Sequence, residues 1–171
     1  MNDMNENPSR GKSSALLTRL GELWLTYIKG QLFLALLIGM LTWTINSAIG
    51  LHWAGAMGLI AGMFETIPTF GPLLATIPAV IIALWKGSTI IPLPNWGFAL
   101  IVLGIYVAIQ QIEAIFVQPR IMGSRLDLPP LAVILAVIVG AALGNVIGAY
   151  LAVPVVASVR EIILFWREPP P

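Results

Sequence analysis

Two apolar stretches of this chain are too long for one membrane-spanning helix, and each carries its own interruption. Residues 53–85 run for 33 positions and residues 131–166 for 36. As a single helix the second would measure about 54 Å, more than tilt can absorb in a hydrocarbon core about 30 Å thick. In the first, Pro68, Gly71, Pro72 and Pro78 oppose a continuous helix, because proline lacks the amide proton and clashes with the preceding turn. Its halves, 53–67 and 71–85, are each roughly 22 Å long as helix, short for upright spans. A re-entrant helical hairpin is the expected form. In the second stretch Gly144, Asn145 and Gly148 mark the corresponding break.

The solvent is read from the charge count. Only 10% of the 171 residues are charged, 58% are hydrophobic and the mean hydropathy is +0.90. A soluble domain carries about a quarter of its residues as charges. The apolar runs lack strict alternation, which excludes a barrel. The expected fold is an all-α integral membrane protein with two simple spans, 31–49 and 96–118, and two broken hairpins, 53–85 and 131–166. A polar tail at 1–14, expected to be disordered, precedes an amphipathic stretch at 15–30. That stretch either lies at the interface or simply extends the first span. Residues 167–171 form a second tail. The net charge of +1 gives no field for nucleic acid, and the absence of cysteine excludes disulfides. There is one histidine and no HExxH, GxSxG or P-loop pattern, so an enzyme is not expected. Nothing in the chain calls for a cofactor.

Placing the cations orients the chain. With a cytoplasmic N-terminus and hairpins that return to their starting side, Arg10, Lys12, Arg19, Lys29, Arg120, Arg125, Arg160 and Arg167 fall inside, and only Lys86 outside. That distribution obeys the positive-inside rule and puts both termini in the cytoplasm. One hairpin plus one span makes an odd number of crossings, so the hairpins enter from opposite faces. GPLLATIPAV from Gly71 and GAYLAVPVVA from Gly148, with Pro154, add a short internal likeness. Opposed broken helices whose tips meet near the midplane are a transporter arrangement.

Chemistry collects at the breaks. Glu65 closes a half-helix, where the dipole and unpaired carbonyls already make the surroundings negative, so a carboxyl there holds a proton or a cation. Thr66, Thr69 and carbonyls freed by Pro68 and Pro72 are candidate oxygen ligands for a hard cation such as Na⁺. A protonated Glu65 bonded to a neighbouring helix, or one that snorkels to water, is the plainer alternative. Gln110, Gln111 and Glu113 lie within the third apolar segment, with Gln110 and Glu113 on one face. They line a path, act as glue between helices, or, for Glu113, pair with Arg120. Asn145 is a candidate ligand at the second break. The hinge positions are Pro68, Gly71, Pro72, Gly144, Gly148 and Pro154. Gly58 and Gly62 have the small-xxx-small spacing of closely crossing helices.

At these residues the sequence resembles the autoinducer-2 exporter family, which includes PerM-type permeases. The carrying text is GLIAGMFETIPTFGPLLATIPAVIIAL, YVAIQQIEAIFVQPRIMGSRLDLPPL and VGAALGNVIGAYLAVPVVA, and the likeness extends from about Leu20 to Val159. It implies a multi-pass inner-membrane protein that moves a small polar solute or ions. Autoinducer-2 export is ascribed to some members and Na⁺/H⁺ exchange to others, and members are thought to form homo-oligomers. Members are usually longer, with further spans upstream, so this chain looks like the C-terminal half alone. The alternative expectation is a truncated, non-transporting module that serves as an assembly or regulatory partner.

Overall fold

The computed structural model describes residues 8–67, 70–117, 120 and 128–167. Five helices follow in order: α1 Pro8–Ala48, α2 Ala54–Glu65, α3 Gly71–Lys86, α4 Asn95–Ile112 and α5 Pro130–Arg167. α4 continues into a π-helical turn, Glu113–Val117. No strand occurs among the described residues, where the one bridge pairs Leu51 with Ser88. Ser14–Ala48, Asn95–Val117 and Leu131–Arg167 are long and apolar enough to cross a membrane, while α2 and α3 are shorter. At 12 and 16 residues they measure about 18 and 24 Å. The chain is an all-α, multi-pass membrane protein. Of the expected tails, residues 1–7 and 168–171 lie outside the described residues, whereas 8–14 already belong to α1. No proline interrupts α1 near residue 30, and the amphipathic stretch and the first span are continuous.

The chain divides into two compact units. The first, Lys29–Ser124, contains the end of α1 and all of α2, α3 and α4. Ala75, Ala79 and Ala83 recur every four residues on α3 and share a core with Phe98, Val102 and Tyr106, spaced likewise on α4. Small side chains on one helix let the bulky ones of the other fill the gap, and Ala79, Ala83, Phe98 and Val102 are fully enclosed. α2 lies beside α3. Met57 and Ala61 join the same core, and at the far end the rings of Trp53 and Trp85 meet edge-to-face at 6.4 Å under the Lys86 ammonium. At that end Ser88 Oγ donates to Ile49 O (2.7 Å) and the Thr89 amide to Gly50 O (2.9 Å), fastening the loop after α3 to the end of α1. α1 crosses α2 where side chains are smallest. A Cβ on Gly62 would stand 2.6 Å from the Ala35 carbonyl oxygen, and one on Gly58 2.5 Å from the Trp43 Cβ. The polarity of this unit is inverted relative to a soluble domain. Gln31, Thr42, Asn46, Glu65, Thr76 and Glu113 are buried, while Leu32, Leu36, Leu59, Ile81, Trp96 and Leu100 are exposed. That distribution fits lipid outside and polar partners within.

The second unit, Met1–Ile28 with Arg125–Pro171, pairs the start of α1 with α5. α5 leaves helical geometry at Gly144 and Asn145, and beyond the bend Gly148 faces Gly140 so closely that a Cβ on either would strike the other's carbonyl. Pro154, expected at a break, instead lies inside the helix and is fully buried. The reason is visible in its neighbours. Proline at 154 offers no amide to the Tyr150 carbonyl four residues earlier, and the Tyr27 hydroxyl donates to that oxygen at 3.0 Å. Pro78 likewise sits within α3, so it too does not interrupt a helix. Trp24 Nε1 donates to Ser158 Oγ (2.9 Å), and Ser158 donates to the Pro154 carbonyl (2.7 Å).

Candidate functional site: a buried carboxyl pair

Glu65 is the last residue of α2, and Glu113 is the first of the π-helical turn that ends α4. Each is almost fully buried, at 3% and 2% exposure, and their side chains are hydrogen-bonded to one another. A bond between two carboxyl groups requires a proton on one of them. Without it, two like charges would face each other out of reach of water, so the pair is stable only around a proton or a cation. Local backbone chemistry delivers each member. The turn after α2 closes tightly, with Ile67 N donating to Phe64 O (2.8 Å) and Gly71 N to Ile67 O (2.8 Å). Gly71 packs so near the Phe64 carbonyl that no side chain fits there. On α4 the π turn adds residues per helical repeat and re-aims the side chain that follows, a frequent device at functional positions.

The pair lines a cavity of about 10 Å³, room for roughly one water-sized guest. Thr42 of α1, Pro72 and Ala75 of α3, and Tyr106 and Gln110 of α4 share the wall with the apolar Ile38, Ala61 and Ile109. Gln31 of α1 donates through Nε2 to the backbone carbonyl of Glu65 at the end of α2, where carbonyls lack intrahelical donors. Thr76 donates to Pro72 O at 2.7 Å.

Of the residues expected from sequence, the fold brings Glu65, Pro72, Gln110 and Glu113 together. Thr66 is turned away. Its hydroxyl donates to Met63 O (2.7 Å), and it borders a separate open groove of about 470 Å³ between α1 and α2, whose lining carries no titratable group. Gln111 is exposed on the other side of α4. Pro68 and Thr69 lie outside the described residues. Asn145 belongs to the second unit, where it is exposed, with φ 52° and ψ −137°. The carbonyl of Phe64, a candidate ligand from sequence, is already taken by Ile67 N. Sequence reasoning missed Gln31, Thr42, Asn46 and Tyr106. A signal existed. Thr42 and Asn46 are one turn apart, Gln31 falls near the same face, and Tyr106, Gln110 and Glu113 follow at i, i+4 and i+7.

Residues 1–168 match the AI-2E family transporter family. The chain belongs to that family. AI-2E proteins are transport proteins rather than enzymes. Among relatives, this AI-2E chain is 28% identical to YrrI of Bacillus subtilis over 91% of its own length and 42% of YrrI. It is 33% identical to YueF of the same organism, over 81% of the chain and 35% of YueF. It is 28% identical to the AI-2 transport protein TqsA of Escherichia coli, over 78% of the chain and 37% of TqsA. The chain therefore spans less than half the length of these relatives.

Proposed function

We propose that this chain forms part of a secondary transporter of the AI-2E type, which moves a small polar solute, or exchanges Na⁺ and H⁺, across the inner membrane. In this reading Glu65 and Glu113 are the coupling site. The observation that carries it is the pair itself: two buried carboxyls, from two elements, around a space for one guest. In a bilayer such a pair is destabilising unless it takes up and releases a charge. The pair α2 and α3 and the bent α5 are the two re-entrant hairpins, entering from opposite faces. Both termini are cytoplasmic, and copies assemble as a homo-oligomer. Gln110 shares the Glu113 face and lines the path, while Asn145 serves at the second hairpin. The cation distribution supports the orientation, the break at Gly144 and Asn145 the second hairpin, the shared cavity the role of Gln110, and the family likeness the homo-oligomer.

The test is flux in proteoliposomes with an imposed Na⁺ or proton gradient. Wild-type protein is expected to give gradient-dependent movement. Glu65→Gln, which keeps the shape but cannot cycle a charge, is expected to insert normally and lose coupling. Normal coupled flux in that variant would remove the site assignment. A second reading, a non-transporting membrane module that acts as an assembly or regulatory partner, makes the opposite prediction in the same assay. Flux no greater than that of empty vesicles supports it.

A further inference from the structure

The buried pair has a polar neighbour on one side that the coupling site does not use. Asn46 is 1% exposed and donates through Nδ2 to Tyr106 Oη at 2.9 Å. Its Oδ1 is the buried side-chain polar atom without a hydrogen-bond partner among the described residues. A buried acceptor of this kind costs stability unless water or an ion reaches it. Tyr106 is itself buried and forms part of the cavity wall with Glu65, Glu113 and Thr42. Because Tyr106 Oη accepts from Asn46, its own proton is left to donate elsewhere, and the cavity borders it. Asn46 stands within one turn of the end of α1, where the carbonyls of Ile49 and Gly50 meet the hydroxyls of Ser88 and Thr89. Asn46 and Tyr106 thus join a buried acceptor with no partner to the wall of the cavity that holds the carboxyl pair.

We propose that Asn46 and Tyr106 form the proton entry to the Glu65–Glu113 pair, with Asn46 Oδ1 holding a water and Tyr106 relaying between that water and the cavity. This rests on the pair being a charge-cycling site. In the step, a hydronium on the Asn46 side gives a proton to Tyr106 Oη as the hydroxyl's own proton passes to the carboxylate. One water and one carboxylic acid result, and the phenol is restored. Asn46 is a positioning residue: it orients the phenol and the water and does not itself carry the proton. The other polar side chains on the cavity wall are uncharged, namely Thr42 of α1 and Gln110 of α4. Tyr106 is therefore the remaining titratable side chain on the cavity wall besides the pair.

The test is the rate of hydrogen–deuterium exchange at the buried carboxyl, read by infrared spectroscopy on full-length protein in vesicles transferred to D₂O. Wild type is expected to show a protonated carboxyl band that Glu65→Gln or Glu113→Gln removes. Tyr106→Phe and Asn46→Leu are expected to keep the band but slow its shift in D₂O by about tenfold or more, equivalent to about 1.4 kcal/mol of added barrier. Asn46→Ser, which leaves room for a water and a hydroxyl to hold it, is expected to restore the rate. Thr76→Val, on the far helix, should leave it unchanged. A wild-type rate in both Tyr106→Phe and Asn46→Leu overturns the relay while leaving the pair intact, as does equal slowing by Thr76→Val. No protonated carboxyl band in wild type overturns the pair, and the relay with it.

Discussion

The contact between Tyr27 and the carbonyl left open by Pro154 makes a prediction whose size follows from the geometry. Tyr27→Phe removes one donor and nothing else of the ring. The Tyr150 oxygen then loses the hydroxyl that serves it at 3.0 Å, and Pro154 offers no amide in its place. An acceptor stranded in a soluble core costs about 1–3 kcal/mol. Bonds between helices in a bilayer average about 0.6 kcal/mol with a maximum near 1.7, because the unfolded reference also finds partners. Tyr27 is 1% exposed and Tyr150 only partly covered. The expected loss is therefore about 1 kcal/mol.

Pro154→Ala tests the cause. It returns an amide to position 154, in register to bond Tyr150, so Tyr27→Phe in that background should cost less than about 0.3 kcal/mol. The single Pro154→Ala effect combines a gained bond with lost packing of a fully buried ring, and it cancels in the double-mutant cycle. The assay is reversible unfolding in mixed micelles, followed through tryptophan fluorescence. A coupling energy of about 0.7–1 kcal/mol is expected. Additivity within about 0.3 kcal/mol would refute the view that the tyrosine substitutes for the missing amide, even if Tyr27→Phe alone were destabilising.

Two further outcomes are expected. Gly62→Ala, whose Cβ would lie 2.6 Å from a backbone oxygen of α1, should lower stability by about 1–3 kcal/mol, whereas Gly104→Ala, with nothing within 4 Å, should be neutral or raise it slightly; thermal unfolding of the pair checks this. Asn145→Gly removes a side chain from φ 52°, ψ −137°, a region that costs other residues about 1–3 kcal/mol, and should raise the melting temperature; coupled flux that survives in that variant would rule out the Asn145 amide as a ligand.

Where the sequence could be read, and where it could not, follows from how polar groups satisfy themselves in lipid. Glu65 and Glu113 stood out because a carboxylate has no proton to give the carbonyls of its own helix and must find a partner elsewhere. Hydroxyls can. Thr44 donates to Met40 O at 2.8 Å, Thr66 to Met63 O and Thr76 to Pro72 O, all within their own elements or turn. A threonine in an apolar run therefore says little about a site, and Thr66 was chosen on its proximity to Glu65 and then faced the other way. Proline misled for a related reason. Gly71 and Pro72 open α3 after α2 has ended at Glu65, but Pro78 and Pro154 lie inside helices, and at 154 a distant tyrosine supplies what the backbone lacks.

The same reasoning explains why Asn46 and Tyr106 escaped notice and why they carry weight. In a long apolar span a phenol is unexceptional, since its ring is apolar and its hydroxyl can end at an interface, and Asn46 lies within one turn of the end of α1, where an amide is ordinary. What separates them is tertiary: the two are nearly enclosed, bonded to each other across helices, and one still has an acceptor unused. Had Asn46 served only to glue α1 to α4, leucine and phenylalanine in the two places would remove the bond and the stranded oxygen together, at little net cost. A relay predicts the same small change in stability together with a large loss of proton access. Measuring unfolding of Asn46→Leu with Tyr106→Phe beside the exchange rate therefore separates glue from relay. A stable double variant with unimpaired exchange leaves only the structural role.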